Sequence, residues 1–238
     1  MTITLGRAAT LGIVGRSGSG KSTLARCLAC LERPAAGQVW VSGIEVTALA
    51  GRALREARRR IQLVFQEPAS AFNPRFSVEA AVTEPLTIRG RLSATESRGA
   101  AESLLARVGL PPTCLGRHPH ELSGGQRQRL AIARALAADP LVLVLDEALA
   151  GLDLTTQAQL ANVLRALPHE HEISVIYISH DLSLTAYLAD EIAVMDDGQI
   201  VEQIASGDLF TNARHPRTRE LLAAVPALPD AERRSAVA

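Results

Sequence analysis

Residues 9–31 read ATLGIVGRSGSGKSTLARCLACL, and this stretch decides how the rest of the chain is interpreted. An apolar run stops at Gly15, and the next residues spell a G-x-x-x-x-G-K-S motif. Leucines then recur at three- and four-residue spacing, at Leu24, Leu28 and Leu31, which predicts a helix. A strand, a glycine loop and a helix in this order are the context in which the motif binds phosphate.

The residue types of this loop suit a polyphosphate ligand. Glycines let successive backbone N–H groups point inward as an anion nest, and the following helix adds its positive N-terminal end. A lysine supplies a point charge to the outer phosphates, and a serine hydroxyl stands where Mg2+ is bound. A glycine-rich turn that only joins a strand to a helix is the other interpretation. The residues expected to contact the nucleotide are Gly15, Arg16, Ser17, Gly18, Ser19, Gly20, Lys21, Ser22 and Thr23.

Composition narrows the class of protein. The 238 residues carry 25 basic and 25 acidic side chains, so the basic excess of a dedicated nucleic-acid binder is missing. The apolar content of 47 % is typical of a globular protein. No apolar run approaches the roughly 20 residues that span a bilayer, and no secretory signal is visible. The composition therefore predicts a cytoplasmic protein, whose role at a membrane would need a membrane partner.

The cysteines and histidines favour structural roles. Cys27 and Cys30 form C-x-x-C, but they lie among apolar residues of the helix predicted after the glycine loop. We interpret them as small buried helix residues rather than a metal or redox site. Two histidine pairs lack the cysteine or carboxylate cluster that would complete a metal site. The histidines interpreted as surface loop residues are His118, His120, His169 and His171.

Strands alternating with helices predict a parallel α/β sheet that is covered on both faces. We expect strands at 2–5, 10–14, 38–42, 61–66, 141–145 and 174–179, and a hairpin over 191–203. We expect helices at 51–60, 77–87, 94–108, 126–138, 155–167 and 182–189. One domain, 1–238, is predicted. Its core is 1–66 and 138–205, its helical subdomain is 67–137, and its tail is 206–238.

The predicted helix at 51–60 carries five arginines. A basic patch for phosphate is one interpretation. A solvated helix face with Leu54 and Ala57 turned inward is the interpretation we favour, because charge runs on short helices usually face water.

Together the motifs resemble those of the ATP-binding subunit of ABC transporters, over nearly the whole chain. The matching segments are Gly15–Ser22 (Walker A), Gln66 (Q-loop), Leu122–Gln126 (the signature LSGGQ), LVLVLDE ending at Glu147 (Walker B), Ala150–Asp153 (D-loop) and His180 (switch histidine). The resemblance implies a P-loop NTPase fold with a RecA-like parallel sheet. It also implies an inserted helical signature subdomain and a reduced N-terminal antiparallel sheet.

The resemblance implies roles for residues that follow the predicted strands. Mg2+ is expected to be held by Ser22 and Gln66, with Asp146 nearby. Glu147 is expected to polarise the attacking water as a general base, a role worth roughly 10^2–10^4 in rate. His180 is expected to hold the γ-phosphate and Glu147 in register. The other interpretation of Glu147 is a carboxylate that only faces a helix dipole.

The LSGGQ segment is interpreted as a second phosphate cradle, because a hydroxyl and two glycines precede a helix N-terminus. A simple helix cap is the other interpretation. In the resembled family this segment closes over ATP held by the partner subunit. The residues expected to contact nucleotide from this side are Ser123, Gly124, Gly125, Gln126 and Asp153.

Flanking segments resemble one branch of the family. FQEPASAFNPR and HPRTRELLAAVP (215–226) look like segments of peptide and nickel importers, and VMDDGQIVE looks like the second ATPase of nickel-type importers. This implies an ATPase at the cytoplasmic face of the membrane that powers import of nickel or of di- and oligopeptides. The implied partners are a second ATPase subunit, two transmembrane permeases and, indirectly, a substrate-binding protein, without nucleic acid. Residues 67–78 are expected to move with the γ-phosphate and push a permease.

Two other functions stay open at this point. One is a soluble ABC ATPase that acts on DNA or ribosomes, although the long coiled coils of such proteins are missing. The other is a nucleotide-gated partner subunit with little catalysis. It is favoured by residues 1–14, which contain no aromatic to stack on adenine; the first aromatic is Trp40. We therefore expect weak ATP binding by the isolated chain.

Overall fold

The computed structural model describes residues 1–66, 71–90 and 93–225. The strands in these ranges are β1 (Thr10–Val14), β2 (Trp40–Val41), β3 (Ile44–Glu45), β4 (Ile61–Val64), β5 (Val142–Asp146), β6 (Ser174–Ser179), β7 (Glu191–Asp196) and β8 (Gln199–Ala205). The α-helices are α1 (Lys21–Leu28), α2 (Gly51–Arg60), α3 (Val78–Arg89), α4 (Ala94–Arg107), α5 (Gly124–Ala137), α6 (Leu154–His171), α7 (Leu182–Leu188), α8 (Leu209–Asn212) and α9 (Pro216–Ala223).

The main sheet has the strand order β4-β5-β6-β1-β7-β8. Neighbours from β4 to β7 run parallel, and β7 and β8 form the antiparallel hairpin predicted over 191–203, with its turn at Asp197 and Gly198. The side chains of a strand alternate between the two faces of the sheet, so each central strand contributes residues to the apolar core on either face. Leu143 and Tyr177 pack on the side of α5 and α6, whereas Val144 packs on the side of α1.

The register of the parallel strands aligns their carboxyl ends. Val14 pairs with Ser179, Asp146 pairs with Ile178, and Val64 pairs with Leu145. The segments that follow these strands therefore leave the sheet side by side. This is the edge at which open α/β sheets bind their ligands.

The stretch expected as a helical subdomain forms α3, α4 and α5 where it is described. These helices pack on one another, and α5 also contacts β4 and α6. Their apolar residues, such as Val82 and Leu105, belong to the same cluster as Leu143 of the sheet. Residues 67–70, 91–92 and 226–238 lie outside the described residues, so the domain boundaries stay a prediction.

Several expectations about the beginning of the chain were wrong. Residues 2–5 form no strand; Ile3 and Leu5 instead pack, half-buried, against the α1 side of the sheet. The strand expected at 38–42 is reduced to β2, which pairs with β3 and with no other described strand. Within the described residues, neither segment 2–5 nor β2 pairs with a strand of the main sheet. An isolated two-stranded ribbon such as β2 and β3 is marginally stable.

Two side-chain expectations also need correction. Cys27 and Cys30 are half-buried rather than buried, because they face the small space between α1 and α2, and Cys30 lies beyond the end of α1 instead of within it. His169 and His171 lie on the last turn of α6 rather than in a loop. The expectation for α2 fits the structure, since Leu54 and Ala57 are half-buried and no residue of the helix is fully buried. In the described part of the chain, no helix has both the length and the apolar character of a membrane span.

The central strand β1 depends on a glycine where α7 crosses it. A Cβ added to Gly12 would lie 2.2 Å from Cγ2 of Thr185 and 3.1 Å from Cβ of Ala189. We expect Gly12→Ala to lower the free energy of unfolding by about 1–3 kcal/mol, the usual cost of overpacking. Urea unfolding midpoints at constant m-value measure the loss.

A second substitution tests the cause. Thr185→Ser removes Cγ2 but keeps the hydroxyl that donates to the Asp181 carbonyl at 2.6 Å. In the Gly12→Ala background it should recover part of the stability. Gly99→Ala is the control, since a Cβ there meets no atom within 4 Å. Simple additivity of the two substitutions would contradict the steric explanation.

Candidate functional site

The glycine loop joins β1 to α1 at the aligned strand ends. Gly18 and Gly20 have φ angles of 82° and 98°, in the left-handed region that favours glycine. A Cβ on Gly15 would lie 2.2 Å from the carbonyl oxygen of Met195. Gly18 and Gly20 thus use the backbone freedom that the motif predicted, whereas Gly15 has no positive φ and is required because the Met195 carbonyl leaves no room for a Cβ.

Lys21 folds back over the loop that precedes it. Its Nζ donates to the carbonyl oxygens of Gly15 at 2.8 Å and of Arg16 at 2.9 Å. Burial lowers the pKa of Lys21, while the negative charges of Glu147 and Asp146 oppose this shift. The ammonium group is thus held inside the loop, at the centre of the predicted phosphate cradle.

The N-terminus of α1 is arranged for an anion. Its N-cap is Gly20, no side chain caps the helix, and no acidic residue lies in the first turn. The first N–H groups of α1 therefore face no competing side-chain acceptor from the cap position. Ser22 and Thr23, in this first turn, are both exposed.

Asp146, the last residue of β5, is a buried carboxylate beside Ser22. Only 8 % of the residue is exposed, and its Oδ1 has no hydrogen-bond partner among the residues that the structure describes. Burial raises the pKa of Asp146; the Ser22 hydroxyl, Arg26 and Lys21 act in the opposite direction, and Glu147 adds to the rise. A buried, unpartnered oxygen next to a hydroxyl suits a hard cation such as Mg2+, so these two residues fit the predicted metal site.

Glu147 and His180 face each other across the ends of β5 and β6. Oε1 of Glu147 lies 3.3 Å from Nδ1 of His180. The backbone of Glu147 is left-handed, with φ 51°, and its N–H donates to the Ile178 carbonyl at 2.9 Å. The next strand thus holds a conformation that a non-glycine residue rarely adopts, and such conformations are common at functional sites. The structure brings together the two residues predicted to be catalytic.

Gln66 is exposed near the end of β4, at the same edge of the sheet. The first part of the segment expected to move, residues 67–70, lies outside the described residues. Across the ranges that the structure describes, no hydrogen bond joins Gln66 to Ser22 or Asp146. The predicted role of Gln66 at the metal therefore rests on its position alone.

The LSGGQ segment forms the N-terminus of α5. Ser123 Oγ accepts a hydrogen bond from Gln126 N at 3.3 Å, and Gln126 Oε1 accepts one from Ser123 N at 3.0 Å. This reciprocal pair is a capping box. Ser123 therefore caps the helix, as one of the two interpretations requires, and its O–H is still able to donate.

The signature segment packs on the first turn of α6, directly after the D-loop, rather than on the glycine loop. A Cβ on Gly125 would lie 2.3 Å from Cγ2 of Thr156, in the first turn of α6. Asp153 Oδ1 caps that helix by accepting from Thr156 N at 2.9 Å, and this hydrogen bond lowers the pKa of Asp153. Among the described residues, no hydrogen bond or ion pair joins the 122–126 segment to the glycine loop.

The sequence did not predict that the end of β7 and the turn before β8 pack against the glycine loop. The N–H of Gly198 donates to the Ser19 carbonyl at 3.0 Å, and the carbonyl oxygen of Met195 lies close against the Cα of Gly15. The sequence signals a turn at Asp197-Gly198, but it carries no sign that this turn packs on the loop. Ser19 Oγ is buried there, and the described part of the chain offers it no hydrogen-bond partner.

Comparisons with known proteins agree on one family. The family model described as ABC transporter matches residues 1–150. A putative peptide import ATP-binding protein of Brucella ovis is 41 % identical over 231 residues, which cover 97 % of this chain and 73 % of that protein. The dipeptide transport ATP-binding protein DppF of Escherichia coli is 42 % identical over 237 residues, which cover 100 % of this chain and 71 % of that protein.

Solved structures support the same fold. The dimeric ATP-binding cassette MJ0796, in a post-hydrolysis state with ADP and Pi, is similar with a TM-score of 0.78 and 31 % identity, over 86 % of this chain and 88 % of that one. CbiO1 of Clostridium perfringens, part of the ABC transporter complex cbiONQ, is similar with a TM-score of 0.81 and 26 % identity, over 95 % of this chain and 88 % of that one.

The burial of Asp146 predicts a stability cost in the ligand-free protein. Because burial raises its pKa, the charged form is disfavoured in the folded state. We expect Asp146→Asn to raise the free energy of unfolding at pH 7.5 in the presence of a chelator. The gain should shrink as the pH falls through the raised pKa, because the protonated wild-type carboxyl no longer carries the buried charge.

Urea unfolding between pH 4 and 8 measures this gain. The control is Glu170→Gln, a substitution of an exposed carboxylate on α6. An Asp146→Asn variant that is less stable than the wild type at pH 7.5 would refute a desolvation cost at this position.

Proposed function

The chain belongs to the ABC transporter family of ATP-binding subunits, and from this premise we propose that it hydrolyses ATP to power the import of peptides. The observation that carries the chemistry is the Glu147–His180 pair beside Lys21, at the edge where β1, β5 and β6 end. The cargo class rests on relatives that cover nearly all of this chain and are named for peptide or dipeptide transport. Nickel, the other cargo that the flanking segments suggested, is named by neither of these relatives.

Catalysis would rest on positioning and on one activated water. Lys21 and the N–H groups of the loop and of α1 would bind the β- and γ-phosphates. Glu147 would orient the attacking water and accept its proton, and His180 would hold the Glu147 carboxylate toward that water. Ser22 and Asp146 would hold Mg2+, which neutralises charge on the phosphate oxygens.

A second copy or a related ATPase subunit would complete the site. The N–H groups of Gly124 and Gly125 and the O–H of Ser123 lie at an exposed helix N-terminus that can donate to the partner's ATP. Leu154, at the start of α6, is 82 % exposed beside this segment and offers an apolar contact. The similar cassette MJ0796 is a dimer, which supports this arrangement.

A cleft between the sheet and the helical part offers a place for a permease at the membrane. It has a volume of about 790 Å3 and lies between α2 and β4 on one side and α3 and α5 on the other. Within the described residues, Arg52, Arg55 and Arg89 line it without an ion pair, beside the exposed side chains of Phe65 and Ile88. We infer that it takes a permease segment that carries both acidic and apolar residues.

Glu147→Gln tests the catalytic proposal. The amide keeps the shape of the carboxylate but does not accept a proton, so phosphate release should fall roughly 10^2–10^4-fold while ATP binding is kept. ATP should then trap a dimer that gel filtration detects. In cells with the complete transporter, uptake of labelled peptide should be lost in the variant, whereas the control Glu170→Gln should transport normally.

Each alternative function has its own outcome in this experiment. Wild-type turnover by Glu147→Gln refutes Glu147 as the base. ATP-dependent uptake of nickel instead of peptide overturns the cargo. Turnover that responds to DNA or ribosomes supports the soluble ATPase, and a wild type that binds ATP without turnover supports the gated subunit.

Charge reversal tests the cleft. Arg52→Glu combined with Arg55→Glu should reduce copurification with the permeases and peptide uptake by about tenfold, because like charges would meet across the contact. ATP binding should be unchanged, since neither side chain reaches the glycine loop. The matched control reverses the exposed Arg33 and Arg165, which lie outside the cleft. Equal losses in both double variants would argue against this docking surface.

A further inference from the structure

The tail helix α9, which the sequence marked only as a branch-specific segment, is firmly attached to the β7–β8 hairpin. The Glu202 carboxylate on β8 accepts hydrogen bonds from Arg214 N at 2.7 Å and His215 N at 3.1 Å. His215 Nδ1 in turn accepts from Arg217 N at 3.2 Å and caps the helix. Thr218 is fully buried. The place of α9 on the protein is therefore fixed by the H-P-R-T residues.

A chain of alternating charges leads from this helix to the glycine loop. Arg217 Nε lies 2.9 Å from Asp196 Oδ2 at the end of β7, and its Nη1 lies 2.8 Å from Glu220 Oε2. The other oxygen of Glu220 lies 3.4 Å from Arg16 Nη1 in the loop. These contacts raise the pKa of Arg217 and lower that of Glu220, mainly through their mutual hydrogen bond, as expected of a charged network.

The same hairpin reaches the loop by a second route. Asp196 ends β7, and two residues later Gly198 N donates to the Ser19 carbonyl at 3.0 Å. Arg217 therefore binds Asp196 at the start of the turn between β7 and β8, and this turn contacts the glycine loop through Gly198.

Arg16 is the residue at which these contacts influence the ligand site. Its carbonyl oxygen accepts from Lys21 Nζ at 2.9 Å and from Ser19 N at 3.2 Å. A shift of the Arg16 backbone would therefore move both the ammonium group and the loop N–H groups. The Arg16 side chain is 61 % exposed, and in the described part of the chain Glu220 is its one ion-pair partner.

We propose that Glu220 and Arg217 are positioning residues for ATP binding, and that they hold the glycine loop in its binding geometry through Arg16 and Asp196 before the nucleotide arrives. The proposal rests on the proposed function, because it takes ATP as the ligand of the loop. The expected effect is on affinity rather than on the chemical step, since bound phosphates restore the loop geometry once they are in place.

The direction of the change in ATP affinity distinguishes a positioning role of Glu220 from a direct electrostatic effect of its charge on the nucleotide. Removing a carboxylate close to a polyanion should tighten ATP binding if charge alone matters. Loss of the anchor should instead weaken it. Because the Arg16–Glu220 pair is exposed, we expect a modest change, with the dissociation constant of ATP raised about threefold in Glu220→Gln.

The experiment titrates the purified full chain with a fluorescent ATP analogue and follows hydrogen exchange of the amides at 15–20. Glu220→Gln should bind about threefold more weakly and exchange faster in the loop, with kcat of the assembled transporter within twofold of the wild type. Glu220→Asp should restore part of the affinity. At about 1 M salt, where charges are screened within about 3 Å, the ratio of the two dissociation constants should approach one.

Asp208→Asn is the matched control, because it neutralises an exposed tail carboxylate whose side chain accepts from Asn212 rather than from the loop. Unchanged or tighter binding by Glu220→Gln, or an equal weakening by Asp208→Asn, overturns the positioning role. A wild type that binds no ATP would instead refute the proposed function, so the two failures are distinguishable.

Discussion

The parallel register of four neighbouring strands is the constraint on which the site depends. Hydrogen bonding between β4, β5, β6 and β1 brings their carboxyl ends to one edge, so residues far apart in sequence leave the sheet together. Glu147 and His180 are 33 positions apart, yet their side chains are within contact distance because β5 and β6 are adjacent. The glycine loop follows β1, the next strand in the order, and meets them there.

Several residues at this edge of the sheet lower the free energy of unfolding of the ligand-free protein. A buried aspartate oxygen without a partner, a lysine drawn into a loop and a glutamate in a left-handed conformation each cost free energy in the ligand-free protein. The apolar clusters on both faces of the sheet offset this cost. Such a balance is expected where a protein is organised to bind a charged ligand, since the groups that will hold it are kept ready without one.

The beginning of the chain shows where sequence patterns mislead. The segment 2–5 alternates as a strand does, but a strand exists only if a neighbour completes its ladder, and the described residues provide none. The helices from α2 to α7 were predicted, because their hydrogen bonds are local, but α8 and α9 were not, and α1 ends at Leu28, before the Leu31 that its predicted pattern included. The bounds of α6 were too short at both ends, since Asp153 caps it earlier and its last turn reaches His171.

The sequence by itself determined the alternation of strands and helices, the glycine loop and the identity of the polar residues at each strand end. These are local properties, set by spacing and by the backbone freedom of glycine. Only the tertiary structure decided that Gly125 packs on Thr156 and that Arg16 pairs with Glu220. It also supplied the contact between His180 and Glu147, which the sequence motifs had only implied. The reason is physical, because strand order, register and helix docking bring together residues far apart in the chain, and no local pattern encodes those distances.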